Sequence, residues 1–249
     1  IAGNLSSGNG SSGNVMVVSN GGAVSVSIST IIGAANTGYT GSNNSVLVTG
    51  AGSIFSNAVS IVVGDSGGGT LIMGANGAVI APIIYIAQSS NSSGTLNYGA
   101  PGGSDTNLTL GAGTISFGNG SGSLNFNQAD TITFITDMTG NGLVNQLGSG
   151  TTILTGNASG LLGTITIGNG ALQIGNGNTN GFPTTNAIIN NASLILKPNN
   201  TSAAQLQASI SGVGSVTQTG SGTTILLGSN SYTGTTTVNG GTLQVGFNT

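Results

Sequence analysis

Residues 144–154 read VNQLGSGTTIL and residues 216–226 read VTQTGSGTTIL, with identical letters at nine of eleven positions and an offset of 216 − 144 = 72. After a slip of one residue the correspondence resumes, and GTITIGNGALQIG (163–175) matches GTTTVNGGTLQVG (234–246). One structural unit is therefore written twice. Internal repeats of this kind are typical of stacked architectures, in which each unit buries its apolar side chains against the next one.

The chain is almost without charge. Its 249 residues include no histidine, and their formal net charge is −3. The charged side chains are those of Asp65, Asp105, Asp130, Asp137 and Lys197. Nucleic-acid binding requires a cluster of Lys and Arg that displaces counterions from the phosphates, so this composition argues against a nucleic-acid partner.

Apolar content argues against both disorder and membrane insertion. Disordered chains combine few apolar residues with a high net charge, whereas this chain is 37% hydrophobic. The longest apolar run, residues 78–87, is interrupted by Pro82 and is shorter than the roughly 18 residues of a membrane helix. We therefore predict a packed core and no transmembrane segment. Residues 1–10 lack the features of an export signal, so we expect any such signal to have been removed or to lie outside this sequence.

Apolar residues alternate with small polar ones in short bursts, which is the period of a strand with one face turned inward. Glycine and asparagine clusters separate the bursts and supply the positive φ angles of turns. Residues 202–210 fit a helix as well as a strand. The residues predicted to face inward are Val24, Val26, Ile28, Val46, Val48, Ile61, Val63, Leu71, Met73, Leu108, Leu110, Ile115, Phe117, Leu124, Phe126, Ile132, Phe134, Ile165, Ile167, Leu172, Ile174, Leu194, Leu196, Leu243 and Val245.

Short strands with glycine turns fit either an antiparallel sandwich or barrel, or a parallel solenoid. The repeat favours the solenoid, because successive coils require equivalent side chains at equivalent positions. With roughly 20 to 25 residues a coil, the 72-residue offset corresponds to about three coils and the chain to roughly ten. Outward Ser, Thr and Asn would then form hydrogen-bonded ladders, whereas stacked like charges would repel one another. The predicted fold is an all-β parallel β-solenoid.

A second, more diverged repeat lies in the N-terminal part. Residues 22–24 recur at 77–79 with an offset of 55, which also places Ile28 over Ile83 and Ile31 over Ile86. Residues 44–52 have a looser echo in residues 93–100. We predict a single solenoid over residues 1–249. It would comprise diverged repeats over 1–100, a transition over 101–139 that includes an irregular loop at Pro101–Asp105, and two copies of the 72-residue repeat over 140–249.

The segments GSGTTILLGSNSYTGTTTVNGGTLQVG (220–246) and GSGTTILTGNASGLLGTITIGNGALQIG (148–175) resemble the autotransporter-associated β-strand repeat, also called the passenger-associated transport repeat. The earlier copy has Ser159–Leu162 where the repeat has a tyrosine such as Tyr232. The resemblance covers about a quarter of the chain. It implies a right-handed parallel β-helix that a Gram-negative cell exports, and either a piece of a longer passenger or a related extracellular assembly.

Candidate chemistry is sparse. Asp130 and Asp137 flank a segment that would span about 20 Å if extended, which is too far for the paired carboxylates of glycoside hydrolysis. Gly8, Gly10 and Gly13 match a dinucleotide fingerprint by letters only, and residues 102–105 are a single imperfect calcium-binding motif. Lys197 is isolated from other basic residues, and serine or threonine nucleophiles would have no histidine as a base. We therefore predict no catalytic, cofactor-binding or metal-binding residue.

Threonine pairs raise a separate possibility, because flat threonine rows can face ice. The pairs are Thr131 and Thr133, Thr151 and Thr152, Thr164 and Thr166, Thr223 and Thr224, and Thr235 to Thr237. They do not recur at the regular spacing that such a surface requires, so ice binding is the weaker alternative.

These observations predict a non-enzymatic extracellular structural or adhesive β-solenoid on a bacterial cell surface. Polar caps, which solenoids need at their ends, are missing from residues 1–12 and 242–249. The expected partners are accordingly further repeats of a longer chain, or other copies that associate laterally or stack end to end into filaments. An unidentified host-surface or matrix ligand is a further expected partner. The alternative function is a polysaccharide-acting β-helix lyase or hydrolase.

Overall fold

The computed structural model describes residues 1–34, 41–102, 105–181, 183, 185, 187–199 and 201–246. The described residues form strands and turns and no helix. Contacts divide the chain into two compact units. The first unit comprises Ile1–Gln128 and Gly140–Gly142, and the second comprises Ala129–Thr139 and Leu143–Thr249.

Twelve strands lie within residues 1–128. They are β1 (Leu5–Ser7), β2 (Val15–Val18), β3 (Ala23–Val26), β4 (Ser29–Ile32), β5 (Asn44–Val48), β6 (Ile54–Asn57), β7 (Ser60–Val63), β8 (Gly68–Met73), β9 (Ala78–Ile86), β10 (Ser93–Tyr98), β11 (Thr109–Phe117) and β12 (Ser121–Phe126).

Shorter strands fill the rest of the chain. They are β13 (Thr131–Phe134), β14 (Asp137–Gly140), β15 (Leu143–Gln146), β16 (Thr151–Leu154), β17 (Gly160–Leu161), β18 (Thr164–Ile167), β19 (Ala171–Ile174), β20 (Ala187–Asn190), β21 (Ser193–Leu196), β22 (Ala204–Leu206), β23 (Ser209–Ser211), β24 (Ser215–Gln218), β25 (Thr223–Leu226), β26 (Thr236–Val238) and β27 (Thr242–Val245). Residues 202–210, which fitted either a helix or a strand, supply β22 and the start of β23.

Every strand pair whose register is described is parallel, and within each unit the strands stack as turns of a β-solenoid, about ten turns in all. In the first unit the sheets run β1-β4-β7-β9-β11 and β2-β5-β8-β10-β12, and in addition β3 pairs with β6 and β6 pairs with β9. In the second unit they run β13-β16-β19-β21-β24-β26, β15-β18-β20-β23, β22-β25-β27 and β14-β17. The prediction of an all-β parallel solenoid is confirmed.

Apolar side chains of successive coils stack in register along the inside. Val46 pairs with Leu71, Leu71 with Leu96, and Leu96 with Leu124, and all four side chains are fully buried. Burying such aliphatic side chains contributes about 1.5–3 kcal/mol each. Most of the predicted inward residues are buried, as expected from the period of two.

Outward side chains form the expected polar ladders. The hydroxyls of Thr95 and Ser123 lie 3.2 Å apart, and the Asn125 amide donates to the Oδ1 atom of Asn97 at 2.9 Å. Both pairs join residues that are register partners on β10 and β12. Stacked neutral groups can satisfy one another at a spacing where stacked like charges would repel.

Coils are longer in the first unit than in the second. In the first unit the shortest described coil joins Ser60 to its register partner Ile83. The longest described coil of the second unit runs from Thr164 to its register partner Ala187, and it has the same number of residues as that shortest coil of the first unit. All other described coils of the second unit are shorter, such as the one between the partners Thr223 and Thr242.

A change of period between residues 100 and 140 was predicted from the sequence, and it stays a prediction. The finer boundaries at 100 and 140 stay predictions. Gly103 and Ser104 of the predicted loop lie outside the described residues.

The 72-residue repeat is longer than the three coils predicted for it. Val144 pairs with Ile165, Ile165 with Ile188, and Ile188 with Ile210, so three coils that start at Val144 end at Ile210. Val216, the counterpart of Val144, lies beyond that point, on the sheet that contains β21. The two copies therefore begin on different sheets of the coil. Val144 lies on the sheet that contains β18, and Val216 lies on the sheet that contains β21.

The N-terminal repeat is confirmed at its first residues, because Ala23 pairs with Ile54 and Ile54 with Ala78. Its later alignment is wrong by one residue. Ile32, and not Ile31, is connected through Val63 to Ile86. Ile32 points inward and is fully buried, whereas Ile31 is half-buried on the outer face.

Two further alignments are wrong in the same way. The echo of residues 44–52 is shifted by one residue, since the inward Val46 and not Leu47 shares a column with Leu96. Ile28, predicted to face inward, is 45% exposed because it lies at the corner between β3 and β4. A shift of one residue exchanges the two faces of a strand, so sequence identity can favour a register that burial forbids.

Corners between strands depend on close backbone approach. A Cβ atom on Gly69 would lie 2.2 Å from the carbonyl oxygen of Ile32 and 2.6 Å from the amide nitrogen of Gly64. Gly64 itself has a φ of 78°. Only glycine fits at Gly69, since any side chain would push the neighbouring coil away.

Candidate functional site

Three of the four aspartates hold local backbone or side-chain structure. The Asp105 carboxylate accepts a hydrogen bond from the amide of Ala100 at 2.6 Å, and the Asp137 carboxylate accepts one from the amide of Asn157 at 2.7 Å. Asp65 accepts a hydrogen bond from the hydroxyl of the adjacent Ser66 at 3.2 Å. Charge-assisted hydrogen bonds of this kind to backbone amides fix loops and strand starts.

The candidate pair of carboxylates lies on separate elements. Asp130 precedes β13, where its carbonyl accepts from the amide of Thr151 at 3.1 Å, while Asp137 starts β14. Lys197 follows β21, and the stem of its side chain passes close to Gly177. Among the described residues, no group of three or more His, Cys, Asp and Glu side chains could hold a metal ion.

The glycines of the dinucleotide-like motif lie between two strands. Gly8, Gly10 and Gly13 all have positive φ angles, and the chain then enters β2 where the fingerprint needs a helix. A Cβ atom on Gly8 would lie 2.1 Å from the side chain of Asn44. These glycines therefore serve turns and close packing.

Threonines form only short columns in the described sheets. Thr131 pairs with Thr151, but the next member of that column is Ala171. Thr164 pairs with Ala187. These columns are thus interrupted by other residues after one or two threonines, whereas a flat threonine face needs regular rows.

The most regular polar feature is an inward-facing pair that both repeat copies share, which we name the Gln–Thr pair. In the first copy, Gln146 and Thr152 are buried, and the Thr152 hydroxyl donates to the Gln146 Oε1 atom at 2.7 Å. The Gln146 amide donates to the carbonyls of Gly148 and Gly150 at 3.1 and 3.2 Å. The side chain of Gln146 thereby closes the glycine turn that joins β15 to β16.

The second copy repeats these contacts. The Thr224 hydroxyl donates to the Gln218 Oε1 atom at 2.8 Å, and the Gln218 amide donates to the carbonyls of Gly220 and Gly222 at 3.4 and 3.2 Å. A buried amide must find such partners, because each polar group left unpaired inside the protein costs about 1–3 kcal/mol. The segment Gln-x-Gly-Ser-Gly-Thr-Thr therefore forms one structural unit in both copies.

Sequence reasoning missed the role of this pair, although a signal for it was present. Gln146 lies two positions after Val144, and Gln218 lies two positions after Val216, so the period of two places each glutamine on the inner face. Glutamine is normally exposed, and the alternation was applied only to aliphatic residues. The repetition of the glutamine in both copies is the signal that could have found it.

The last described coil, residues 234–246, is the place where the two copies differ. We name it the terminal coil. In the first copy the equivalent residues Ile165, Ile167, Leu172 and Ile174 are at most 1% exposed. In the terminal coil, Val238 is 52% exposed and Val245 is 72% exposed, although Val245 was predicted to be inward and buried.

The exposure of these residues differs because further strands cover the first copy, whereas no described strand covers the terminal coil. In the first copy, β18 and β19 are each paired on both sides, by β15 and β20 and by β16 and β21. In the terminal coil, β26 pairs with β24 and β27 pairs with β25, and both lie at the ends of their sheets. Among the described residues, β26 and β27 are thus each paired on one side only, which explains the exposure of Val238 and Val245.

Among the described residues, the strands of the first coil (Leu5–Val26) are also paired on one side only. Strand β2 ends its sheet and pairs with β5. Its inward Met16 is half-buried, while the register partner Val46 is fully buried. On the outer face of the same strand, Val15 and Val17 are 66% and 54% exposed.

The terminal coil and the coil beneath it coincide with a known repeat. Residues 216–245 match the family model of the passenger-associated-transport-repeat. The resemblance predicted for residues 220–246 is confirmed. Its earlier copy at 148–175 stays a prediction. Searches of curated proteins and of solved structures return no significant match.

The transport repeat thus contains the second Gln–Thr pair and ends at the exposed Val245. A parallel β-solenoid that contains a passenger repeat fits a surface β-helix protein. Within the residues that the structure describes, no helix has the length and apolar character needed to cross a bilayer.

Proposed function

We propose that the chain is a non-enzymatic structural or adhesive module of a bacterial surface protein, secreted and displayed outside the cell. The passenger-associated-transport-repeat at 216–245, folded as coils of a parallel solenoid, is the observation on which this proposal rests. The name of the repeat associates it with passengers, which are the exported parts of such proteins.

Two structural features support the proposal. The carboxylates of Asp105 and Asp137 bind backbone amides, and the Gln–Thr pairs close turns. These hydrogen bonds form within the fold, so the groups that make them stabilise the coil. The outer hydroxyl and amide ladders leave a neutral polar surface, which suits a module that tolerates close packing beside other copies or other cell-surface molecules.

Surface display is tested with an antibody raised against the chain and intact bacteria of the source strain. We expect labelling of unpermeabilised cells and its loss after brief treatment with an external protease. Labelling that requires permeabilised cells would contradict the proposed location.

The alternative, a polysaccharide-acting enzyme, is tested with neutral and uronate-containing polysaccharides by measuring new reducing ends and unsaturated products. We expect no turnover by the purified chain. A measurable activity that the substitutions Asp130→Asn and Asp137→Asn abolish, and that Asp65→Asn leaves unchanged, would establish the enzyme and refute our proposal.

A further inference from the structure

Asparagine side chains that precede a glycine are the groups of this chain with an intrinsic covalent reactivity. The dipeptide Asn–Gly occurs nine times in the sequence. In such a pair the backbone nitrogen of the glycine can attack the Cγ atom of the asparagine side chain, because glycine has no side chain that obstructs the approach and adopts a wide range of backbone conformations. Which of these pairs react in the folded chain depends on the partner that each glycine nitrogen already has.

Five of these glycine nitrogens donate hydrogen bonds to other residues of the fold. They belong to Gly10, Gly21, Gly77, Gly120 and Gly177. The amide of Gly120, for example, donates to the carbonyl of Ala87 at 2.9 Å. Attack by such a nitrogen requires this hydrogen bond to break, which leaves the carbonyl without its partner. The fold therefore protects these pairs.

The turn between β18 and β19 is arranged differently. The amide of Gly170 donates to the Oδ1 atom of the preceding residue, Asn169, at 2.9 Å. Oδ1 is bonded to Cγ, so the nitrogen is held against the group that it must attack, and such positioning accelerates an intramolecular reaction. The side chain of Asn169 is exposed, so water and base reach the turn.

We infer that Asn169 is a site of spontaneous deamidation, for which Gly170 supplies the nucleophile and water supplies the oxygen. A base removes the proton of the Gly170 amide, and the nitrogen forms a bond to the Cγ atom of Asn169. The bond from Cγ to Nδ2 breaks, and Nδ2 takes up a proton and leaves as ammonia. Water then opens the resulting succinimide ring at one of its two carbonyls, which yields aspartate or isoaspartate. In total, an amide and water become a carboxyl group and ammonia.

The reacting turn packs against the turn that Gln146 closes. The backbone amide of Asn169 donates to the carbonyl of Gln146 at 3.3 Å, and a Cβ atom on Gly170 would lie 2.3 Å from the carbonyl oxygen of Gly150. That carbonyl also accepts from the Gln146 side chain. Isoaspartate lengthens the main chain, and both products place a charge in this close contact. We therefore expect the reaction to loosen the two coils, whereas the proposed surface role would stand whether or not the site reacts.

The experiment stores the purified full chain in mildly alkaline buffer made with heavy-oxygen water and maps its peptides by mass spectrometry over time. Asn119 is the matched site, because it also lies in an exposed Gly-Asn-Gly turn between two strands. Its backbone amide donates to the carbonyl of Gln88, as that of Asn169 does to the carbonyl of Gln146. We expect label to enter Asn169 about tenfold faster than Asn119, since only the Gly170 nitrogen is held against its own side chain.

Denaturant supplies the control for local sequence. In the unfolded chain both Gly-Asn-Gly segments lose their contacts, so Asn169 and Asn119 should react at similar rates. Equal rates in the folded chain would refute the inference. A preference for Asn169 that persists unchanged in denaturant would also refute it, because the preference would then come from the neighbouring residues and not from the turn.

The variant Asn169→Gln tests the effect on the fold. Its longer side chain would have to close a larger ring, so we expect no label at this position during the same storage. The melting temperature of the unmodified chain should fall as label accumulates, while that of Asn169→Gln, measured fresh and after storage, should stay constant. An equal fall in both chains would show that reaction at Asn169 does not loosen the coils.

Discussion

The hydroxyl of Thr152 donates a hydrogen bond to the Oε1 atom of Gln146 inside the solenoid, and the two atoms are 2.7 Å apart. The contact joins the end of one strand to the next strand across a glycine turn whose carbonyls accept from the same glutamine. It recurs between Thr224 and Gln218 with a distance of 2.8 Å. The strongest repetition in the sequence therefore specifies a corner of the coil.

Replacement of Gln218 by leucine should destabilise the second unit. The change leaves the Thr224 hydroxyl and the carbonyls of Gly220 and Gly222 without their partner in a buried place. We expect the free energy of unfolding to fall by about 1–3 kcal/mol, measured by denaturant unfolding.

The control for this change is Gln205→Leu, since Gln205 is an exposed glutamine on β22. It should alter stability by less than about 0.5 kcal/mol. Equal losses from the two substitutions would show that the Gln–Thr pair does not hold the turn.

Replacement of Gly69 by alanine should separate neighbouring coils in the first unit. The added Cβ atom would lie 2.2 Å from the carbonyl oxygen of Ile32, so the backbone must shift. We expect a loss of about 1–3 kcal/mol or more. Gly111→Ala is the matched change, because its Cβ would meet Ile80 at an ordinary 3.5 Å. It should leave stability unchanged or raise it, since alanine restricts the unfolded chain. The reverse order in thermal melting would refute the packing argument.

Stacked like charges should destabilise the outer ladders. Thr95 and Ser123 are register partners with hydroxyls 3.2 Å apart, so lysines at both positions would repel each other. The double variant Thr95→Lys, Ser123→Lys should lose about 0.2–1 kcal/mol beyond the sum of the single changes, and added salt should reduce that excess. The pair Thr95→Lys, Ser123→Glu is the control. Additive effects of the two lysines at low salt would contradict our explanation for the scarcity of charge.

Stability should depend little on pH near neutrality. Stability varies with pH only where the folded and unfolded states bind different numbers of protons. Histidine and cysteine are the side chains that ordinarily titrate between about pH 5 and 8.5, and the chain contains neither. We expect a constant melting temperature between about pH 5 and 8. A shift of more than about 5 °C, which corresponds to roughly 1–2 kcal/mol, would contradict this.

The parallel solenoid could be predicted because alternation and repetition point to the same architecture. Leu172 and Leu194 were both assigned to the inner face from the period of two, and they are register partners in one buried column. The register between neighbouring strands was harder to predict from the sequence. Sequence letters aligned Ile31 with Ile86, while burial selects Ile32. Identical letters in two repeats do not show which face of the strand a residue occupies. In addition, the corner at Ile28 interrupts the alternation of inward and outward residues.

The exposure of Val245 was not predicted. Its place on the inner face followed from the period of two, but its exposure follows from the lack of a described strand above β27. That is a property of pairing between coils, which a local pattern does not contain. The inward Gln146 escaped notice for a different reason, because the period of two was applied only to aliphatic residues.

A crystal structure of the chain is the measurement that tests the central claim most directly. We predict that Leu172, Leu194 and Val216 occupy one inward column on three neighbouring parallel strands, with the Gln218 side chain turned inward towards Thr224. Antiparallel pairing between any two of these strands, or a Gln218 side chain exposed to solvent, would contradict the account.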